Sequence, residues 1–339
     1  MFNPKYTITN SLSINMRKVG ELVGEFNSLK LTEASSVKME GNARAISAFS
    51  STSIEGNPLG LTDVKKILKS SPKNILDTEK EVLNYNSASE MLDEKIKKGE
   101  SFDFSHDLVC KIQSMVVDSL LAKNYVGKYR GEPVFVNDPV KRKTVYLPPD
   151  AKDVYGLMDE LIEFIKSNEK KVDPLILAGI FHKQMVVIHP FMDGNGRTTR
   201  LLTKVLLVNL GINTFPLFSF ENFYNNNVSK YFQNVGLFGN YYDLVENVNF
   251  TSWLEYFVSG ILDELERVKL ELPKYKLRLK SHHKKIINYI EKNGSISSEE
   301  YSKLADRARS TRIKDFKELV DFEIITPVGS GKSTYYVLG

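Results

Sequence analysis

Within His189-Pro190-Phe191-Met192-Asp193-Gly194-Asn195-Gly196-Arg197-Thr198-Thr199-Arg200, each residue type suits part of one chemistry. His189 carries the side chain whose proton moves near neutral pH. Asp193 is a hard oxygen ligand of the kind Mg²⁺ takes alongside phosphate oxygens. Gly194 and Gly196 tolerate positive φ, so a loop holding them and Asn195 can turn its N–H groups toward one point. Apolar runs at Leu175–Ile188 and Leu201–Leu210 flank the stretch, which predicts helix, loop, helix. The second helix adds the partial positive charge of its N-terminus, completing an anion site. Arg197 and Arg200, three apart, share a face of its first turns. Arginine opposes the dipole there, so a bound anion offsets the cost. Taken together the groups make a nucleotide-phosphate and Mg²⁺ site with a general base at its edge.

The stretch resembles the Fic motif, HPFxxGNGRxxR, at every fixed position. That resemblance implies transfer of AMP from ATP to a Tyr, Thr or Ser hydroxyl of a target protein and of the enzyme itself. It makes His189 the catalytic base and places Mg²⁺ on Asp193. Gly194, Asn195 and Gly196 serve the α-phosphate, Arg197 the β-phosphate and Arg200 the γ-phosphate, with Thr198 and Thr199 in the same nucleotide-binding stretch. Upstream, Ser51-Thr52-Ser53-Ile54-Glu55-Gly56 resembles the inhibitory (S/T)xxxE(G/N) motif of that family. The implication is that Ser51 and Glu55 are regulatory, with Glu55 pairing with Arg200 where the γ-phosphate would sit. Other readings stay open: removal of AMP from a modified protein, phosphate transfer as in the related Doc toxins, or a DNA-binding regulator with a nucleotide-sensing site.

Elements that position these groups follow from spacing. Ala, Ile and Phe at helical intervals predict a helix from about Ala43 to Gly56, closed by Gly56-Asn57-Pro58. Ser51 and Glu55 then share one face, and Glu55 sits where a carboxylate costs about 0.3–1 kcal/mol against the dipole. Alternation in Pro133–Val136 and Thr144–Leu147 around Asn137-Asp138-Pro139 predicts a β-hairpin, able to accept a partner strand at its edge. By the Fic resemblance, which extends to Gly127-Lys128-Tyr129-Arg130 and the exit Pro148-Pro149, this is the target-docking flap. It would use Lys143, Thr144, Val145 and Tyr146, with Lys141 and Arg142 beside them. The same resemblance puts Tyr231 against the adenine. His182, seven before His189, reads as a structural histidine because no third metal ligand accompanies it.

The 339 residues, 42% hydrophobic and 26% charged, suit a globular protein of several domains. No apolar run approaches the roughly 20 residues of a membrane span, and no signal peptide is evident. A single cysteine, Cys110, fits a reducing cytoplasm. From Lys274 onward there are 14 Lys or Arg and 8 Asp or Glu, a local +6 against −2 for the rest. That C-terminal stretch reads as three helices and a hairpin, with a capping box at Ser297 and Glu300 and with Ile313, Phe316 and Val320 facing inward. It resembles a winged helix, leaving DNA or a protein open as its partner, through Arg309, Arg312, Lys314 and Lys317. Gly329–Thr334 is a wing turn, since a phosphate loop needs a glycine where Thr326 stands. The expected fold is mainly α: an N-terminal helical region over 1–110, a Fic helical core with its hairpin over 111–265, and a small winged-helix domain over 275–339. A homodimer is left open.

Overall fold

The structure, a computed structural model, describes residues 2–29, 33–70, 75–137, 143–209, 211–212, 215–272, 279–321 and 324–338. It divides into two compact units, Met1–Ser28 with Ala43–Glu266, and Leu29–Asn42 with Arg267–Gly339. The second unit therefore takes in a short N-terminal stretch as well as the C-terminal residues.

The first unit opens with α1 (Asn10–Asn27), capped by the Thr9 hydroxyl, which accepts from the Leu12 N–H at 3.1 Å. Helix α2 (Glu33–Ile54) starts ten residues before the predicted Ala43, because Glu33–Asn42 is too polar to show a helical apolar period. Next come α3 (Leu61–Lys69), α4 (Asp77–Lys97) and α5 (His106–Val116). Gly60 is the N-cap of α3.

The hairpin follows as β1 (Val136–Asn137) and β2 (Thr144–Leu147), antiparallel, with Val136 opposite Tyr146 and an irregular register. Its first strand is shorter and later than predicted, and residues 138–142, which include Lys141 and Arg142, lie outside the described residues. Helices α6 (Ala151–Asn168), α7 (Pro174–Ile188), α8 (Asn195–Asn209), α9 (Phe220–Asn226) and α10 (Val228–Val235) come next. A strand that sequence periodicity did not reveal, β3 (Gly239–Asn240), pairs parallel with β2 at Tyr146 and Leu147. Two residues are too few to show alternation. Helices α11 (Tyr241–Leu244) and α12 (Thr251–Glu271) complete the run.

Helix α7 is the centre of this unit. Pro174 opens it, the Asp173 carboxylate accepts from the Leu175 N–H at 2.8 Å, and nearly every residue is buried. Helix α12 approaches so closely that a Cβ on Gly179 would lie 2.6 Å from Leu254 Cδ2. Trp253 Nε1 donates to the Gly179 carbonyl at 2.7 Å across that contact.

The second unit continues with α13 (Ser281–Asn293), β4 (Ile296–Ser297), α14 (Ser298–Leu304), α15 (Arg309–Asp321), β5 (Ile325–Val328) and β6 (Tyr335–Leu338). Its sheet has the order β4-β6-β5 over a core that includes Ile286, Ile290, Tyr301, Phe316 and Leu319. The capping box at Ser297 and Glu300 is present. Gly329–Thr334 lies between β5 and β6, with no helix of a phosphate loop after it. Ile313, expected inward, is 56% exposed, on a face with exposed Arg309, Ser310, Lys314 and Lys317; Phe316 and Leu319 face the core. His282, His283 and Asp315 bring ligand-type atoms within 4.8 Å of one another. Arg307 at 2.8 Å and Tyr301 at 2.7 Å already occupy Asp315, so its charge is neutralised by a guanidinium. Among the described residues, no helix is long and apolar enough to cross a membrane.

Candidate active site

Residues 189–194 connect α7 to α8 and hold the candidate chemistry. His189 ends α7 in the left-handed region, φ 51° and ψ 60°, where a non-glycine residue costs about 1–2 kcal/mol. Burial pushes its imidazole down to about 4, against the opposing pull of the Val186 carbonyl and of the Glu55 and Asp193 carboxylates. The ring is therefore neutral at pH 7 and able to take a proton. Its Nδ1 is buried, leaving Nε2 as the nitrogen for that role.

Asn195 turns the loop. Its Oδ1 accepts from the Phe191 N–H and its Nδ2 donates to the Phe191 carbonyl, both at 2.8 Å. The side chain expected at the α-phosphate is thus consumed in closing the loop. Gly194 has φ +79°, and a Cβ there would meet Val117 Cγ1 at 2.7 Å, so the close approach to α5 requires glycine. Thr198 and Thr199 are fully buried, with hydroxyls that make no hydrogen bond among the described residues.

Both arginines are buried and engaged. Arg200 donates through Nε to Ser51 Oγ at 2.8 Å, and through Nη2 to the Ser51 carbonyl at 2.9 Å and Glu55 Oε1 at 2.7 Å. Ser51, Glu55 and Arg200 therefore lie together in the structure. Lys204 of α8 also reaches Ser47 of α2 and the buried Glu221, the latter at 2.7 Å. Glu55 lies against the first turn of α8: a Cβ on Gly196 would be 2.1 Å from Glu55 Oε1 and 3.0 Å from Arg200 Nη1. A carboxylate thus occupies the anion position at the helix N-terminus. Burial raises the pKa of Glu55, but Arg200 and Arg197 outweigh it and hold the carboxyl below its usual value. Nη1 of Arg200 has no hydrogen-bond partner and remains for a further anionic oxygen.

Arg197 bonds Glu81 Oε1 at 3.1 Å and Asp193 Oδ1 at 3.3 Å. Asp193 Oδ1 also accepts from the Gly194 N–H at 2.6 Å, and the side chain is 54% exposed. That leaves its second oxygen open, which fits a Mg²⁺ held through one carboxylate and phosphate oxygens.

Two of the expected site residues are deeply packed. Tyr231 is 1% exposed, stacked on Tyr224 at 4.6 Å, with its hydroxyl 3.1 Å from His182 Nε2. In this arrangement the ring is packed in the core, beside Arg200 and Glu55. His182 is structural as read, its Nδ1 3.0 Å from Thr203 Oγ1. On the hairpin, Lys143 and Thr144 are exposed and Val145 is half-buried, but Tyr146 is 3% exposed and donates to the Val187 carbonyl at 2.9 Å. Tyr146 anchors the hairpin to α7.

Three supporting residues escaped the sequence reading. Glu81 holds Arg197 and also accepts from Asn57 Nδ2 at 2.8 Å. Gln113 donates to the Asp193 carbonyl at 3.2 Å and accepts from the Gly127 N–H at 2.6 Å. Arg130 contacts the His189 carbonyl. Only Arg130 carried a signal, as part of Gly127–Arg130; the other two look like ordinary polar positions on amphipathic helices.

Residues 103–207 match the family model described as Fic/DOC. The chain carries a Fic domain. Among curated proteins, the protein adenylyltransferase Fic of Nematostella vectensis is 29% identical over 174 residues, 48% of this chain and 37% of that protein. The protein adenylyltransferase fic-1 of Caenorhabditis elegans is 27% identical over 199 residues, 58% of this chain and 38% of that protein. The chain thus spans under two fifths of the length of these relatives. A crystal structure of a Fic family protein from Desulfovibrio desulfuricans superposes with a TM-score of 0.69 at 20% identity, covering 100% of this chain and 98% of that one. C. elegans Fic-1 superposes at 0.60 with 19% identity, covering 77% and 73%. At these identities the Fic likeness is one of fold.

Proposed function

We propose that the protein transfers AMP from ATP to a hydroxyl of a target protein and of itself, and that Glu55 restrains the reaction. The observation that carries this reading is the Glu55 carboxylate lying over Gly196 and bonded to Arg200, an anion in the anion site of a Fic loop. In the reaction the target oxygen attacks the α-phosphorus, the bond to the β-phosphate oxygen breaks, and pyrophosphate leaves. His189 Nε2 takes the hydroxyl proton, a role worth about 10²–10⁴ in rate. First-turn N–H groups of α8 meet charge developing on the α-phosphate. Arg197 turns from Glu81 toward the β-phosphate, and Arg200 takes the γ-phosphate once Glu55 leaves. Asp193 would hold Mg²⁺, which neutralises phosphate charge when bound. Lys143, Thr144 and Val145 offer backbone for a target segment.

Glu55→Gly should raise incorporation of label from ATP marked in its α-phosphate by about tenfold or more, the equivalent of about 1.4 kcal/mol. No rise with Glu55→Gly, or label arriving from the γ-phosphate, would sink the reading.

For the second unit the proposed fold is a winged helix, supported by its element order and by the sheet order β4-β6-β5. The exposed face of α15, with Arg309, Lys314 and Lys317 around Ile313, favours DNA as its ligand. Retention on a DNA column that falls with salt, and is lost in Arg309→Ala/Lys314→Ala, is the expected result.

A further inference from the structure

Arg130 lies outside the motif, yet its side chain meets three separate segments of the site. It is 3% exposed. Its Nε donates to the His189 carbonyl at 2.8 Å, Nη1 to the Glu132 carbonyl at 3.1 Å, and Nη2 to the Pro149 carbonyl at 2.5 Å. Its own N–H donates to the Pro190 carbonyl at 2.9 Å. Glu132 lies four residues before β1 and Pro149 two after β2, so they are the feet of the hairpin. His189 is the left-handed residue that ends α7, a conformation that persists only where surrounding contacts over-determine it.

A buried arginine is usually paired with a carboxylate. Here the side-chain acceptors among the described residues are all main-chain carbonyls. A rigid planar fork fixes the angles between carbonyls on segments set apart in the chain, whereas a compact lysine ammonium is a single donor point. We propose that Arg130 is a positioning residue: its guanidinium ties the backbone of His189 to both feet of the hairpin, so that the base and the target-docking strand are held in one register. The charge has a second effect on the same ring, since Arg130 works against protonation of His189.

The rate arm of the test rests on the adenylyl-transfer reading; the spectroscopic arm does not. Arg130→Lys keeps the charge and loses the fork, whereas Arg130→Gln loses both. In the Glu55→Gly background, each should lower the rate of label transfer by about 10²-fold, the effect of misplacing a reacting group by roughly 1 Å. The Kd for ATP, measured by calorimetry, should stay within about twofold, because Arg130 touches no nucleotide-facing group. In the full chain, the His189 ring resonance, assigned by its absence in His189→Ala, should move in both variants. Its titration midpoint should rise only in Arg130→Gln. An unchanged rate, or ATP affinity lost in step with rate, would overturn the assignment. If Glu55→Gly itself transfers no label, the adenylyl-transfer reading fails, and the ring resonance decides alone: a shift in Arg130→Lys supports the tie, and an unmoved resonance in that conservative variant refutes it.

Discussion

The motif loop and the hairpin sit side by side but are held in opposite ways. The loop is fastened from within: Asn195 closes it on Phe191, Gln113 holds the Asp193 carbonyl, and Gly194 packs against Val117. Arg197 and Arg200, beside it, are 3% and 0% exposed. The hairpin pairs a two-residue β1 with β2 through an irregular register, and Lys143 and Thr144 are exposed. Its fixed points are Tyr146 on the Val187 carbonyl, the short pairing with β3, and Arg130 at its feet. An isolated two-stranded hairpin is marginal in water, so these few anchors decide its position. The motif loop is thus fixed by its own side chains, whereas the hairpin presents backbone and little committed side chain.

Substitutions can test how deep that contrast goes. The largest effect belongs to the base. His189→Ala in Glu55→Gly should cut self-labelling by about 10²–10⁴ while ATP binding persists. Asn195→Ala removes both bonds to Phe191 and should lower unfolding stability by about 1–3 kcal/mol, read by chemical denaturation, with activity lost as the loop opens.

The pH profile comes next. With the His189 pKa near 4, the acid limb of kcat/KM should fall near pH 4 and not 6.5. At pH 5 the rate should exceed that expected for an unshifted histidine by roughly thirtyfold. Stability falls in the same direction but over a higher window: between the folded and unfolded values only the unfolded chain takes this proton, so stability declines as pH falls from 6.5 toward 4.

On the hairpin the effects shrink. Tyr146→Phe loses one hydrogen bond, about 1 kcal/mol, and should raise KM for a protein target about fivefold with KM for ATP unchanged. Thr144→Ala loses an exposed bond to Asn137 and should change stability by less than about 0.5 kcal/mol. A Thr144→Ala effect as large as that of Asn195→Ala would erase the distinction between the two regions.

Loop and hairpin also differed in how well their sequence could be read. Motif residues act through the next few positions in the chain, so spacing alone placed Gly194, Gly196 and both arginines at one helix start. Hairpin periodicity located Thr144–Leu147 but missed β3, whose pairing depends on residues about ninety positions away. Tyr231 and Tyr146 show the same limit from the side-chain end. An aromatic near a site reads as a ligand contact, and only packing shows that Tyr231 is spent on Tyr224 and His182 and Tyr146 on α7.

The amino-acid order by itself determined that a histidine, a carboxylate, two glycines and two arginines share one loop and helix turn, and that Ser51 and Glu55 lie on one helix face. Those are short-range relations set by helical spacing and by glycine's freedom of φ. Tertiary structure alone decided who holds whom. It set Glu55 over Gly196, gave Arg197 to Glu81, turned Asn195 inward, and ran Arg130 from the base to the hairpin. Each of these joins segments distant in the chain, and burial makes the pairing obligatory because a polar group removed from water must find a partner.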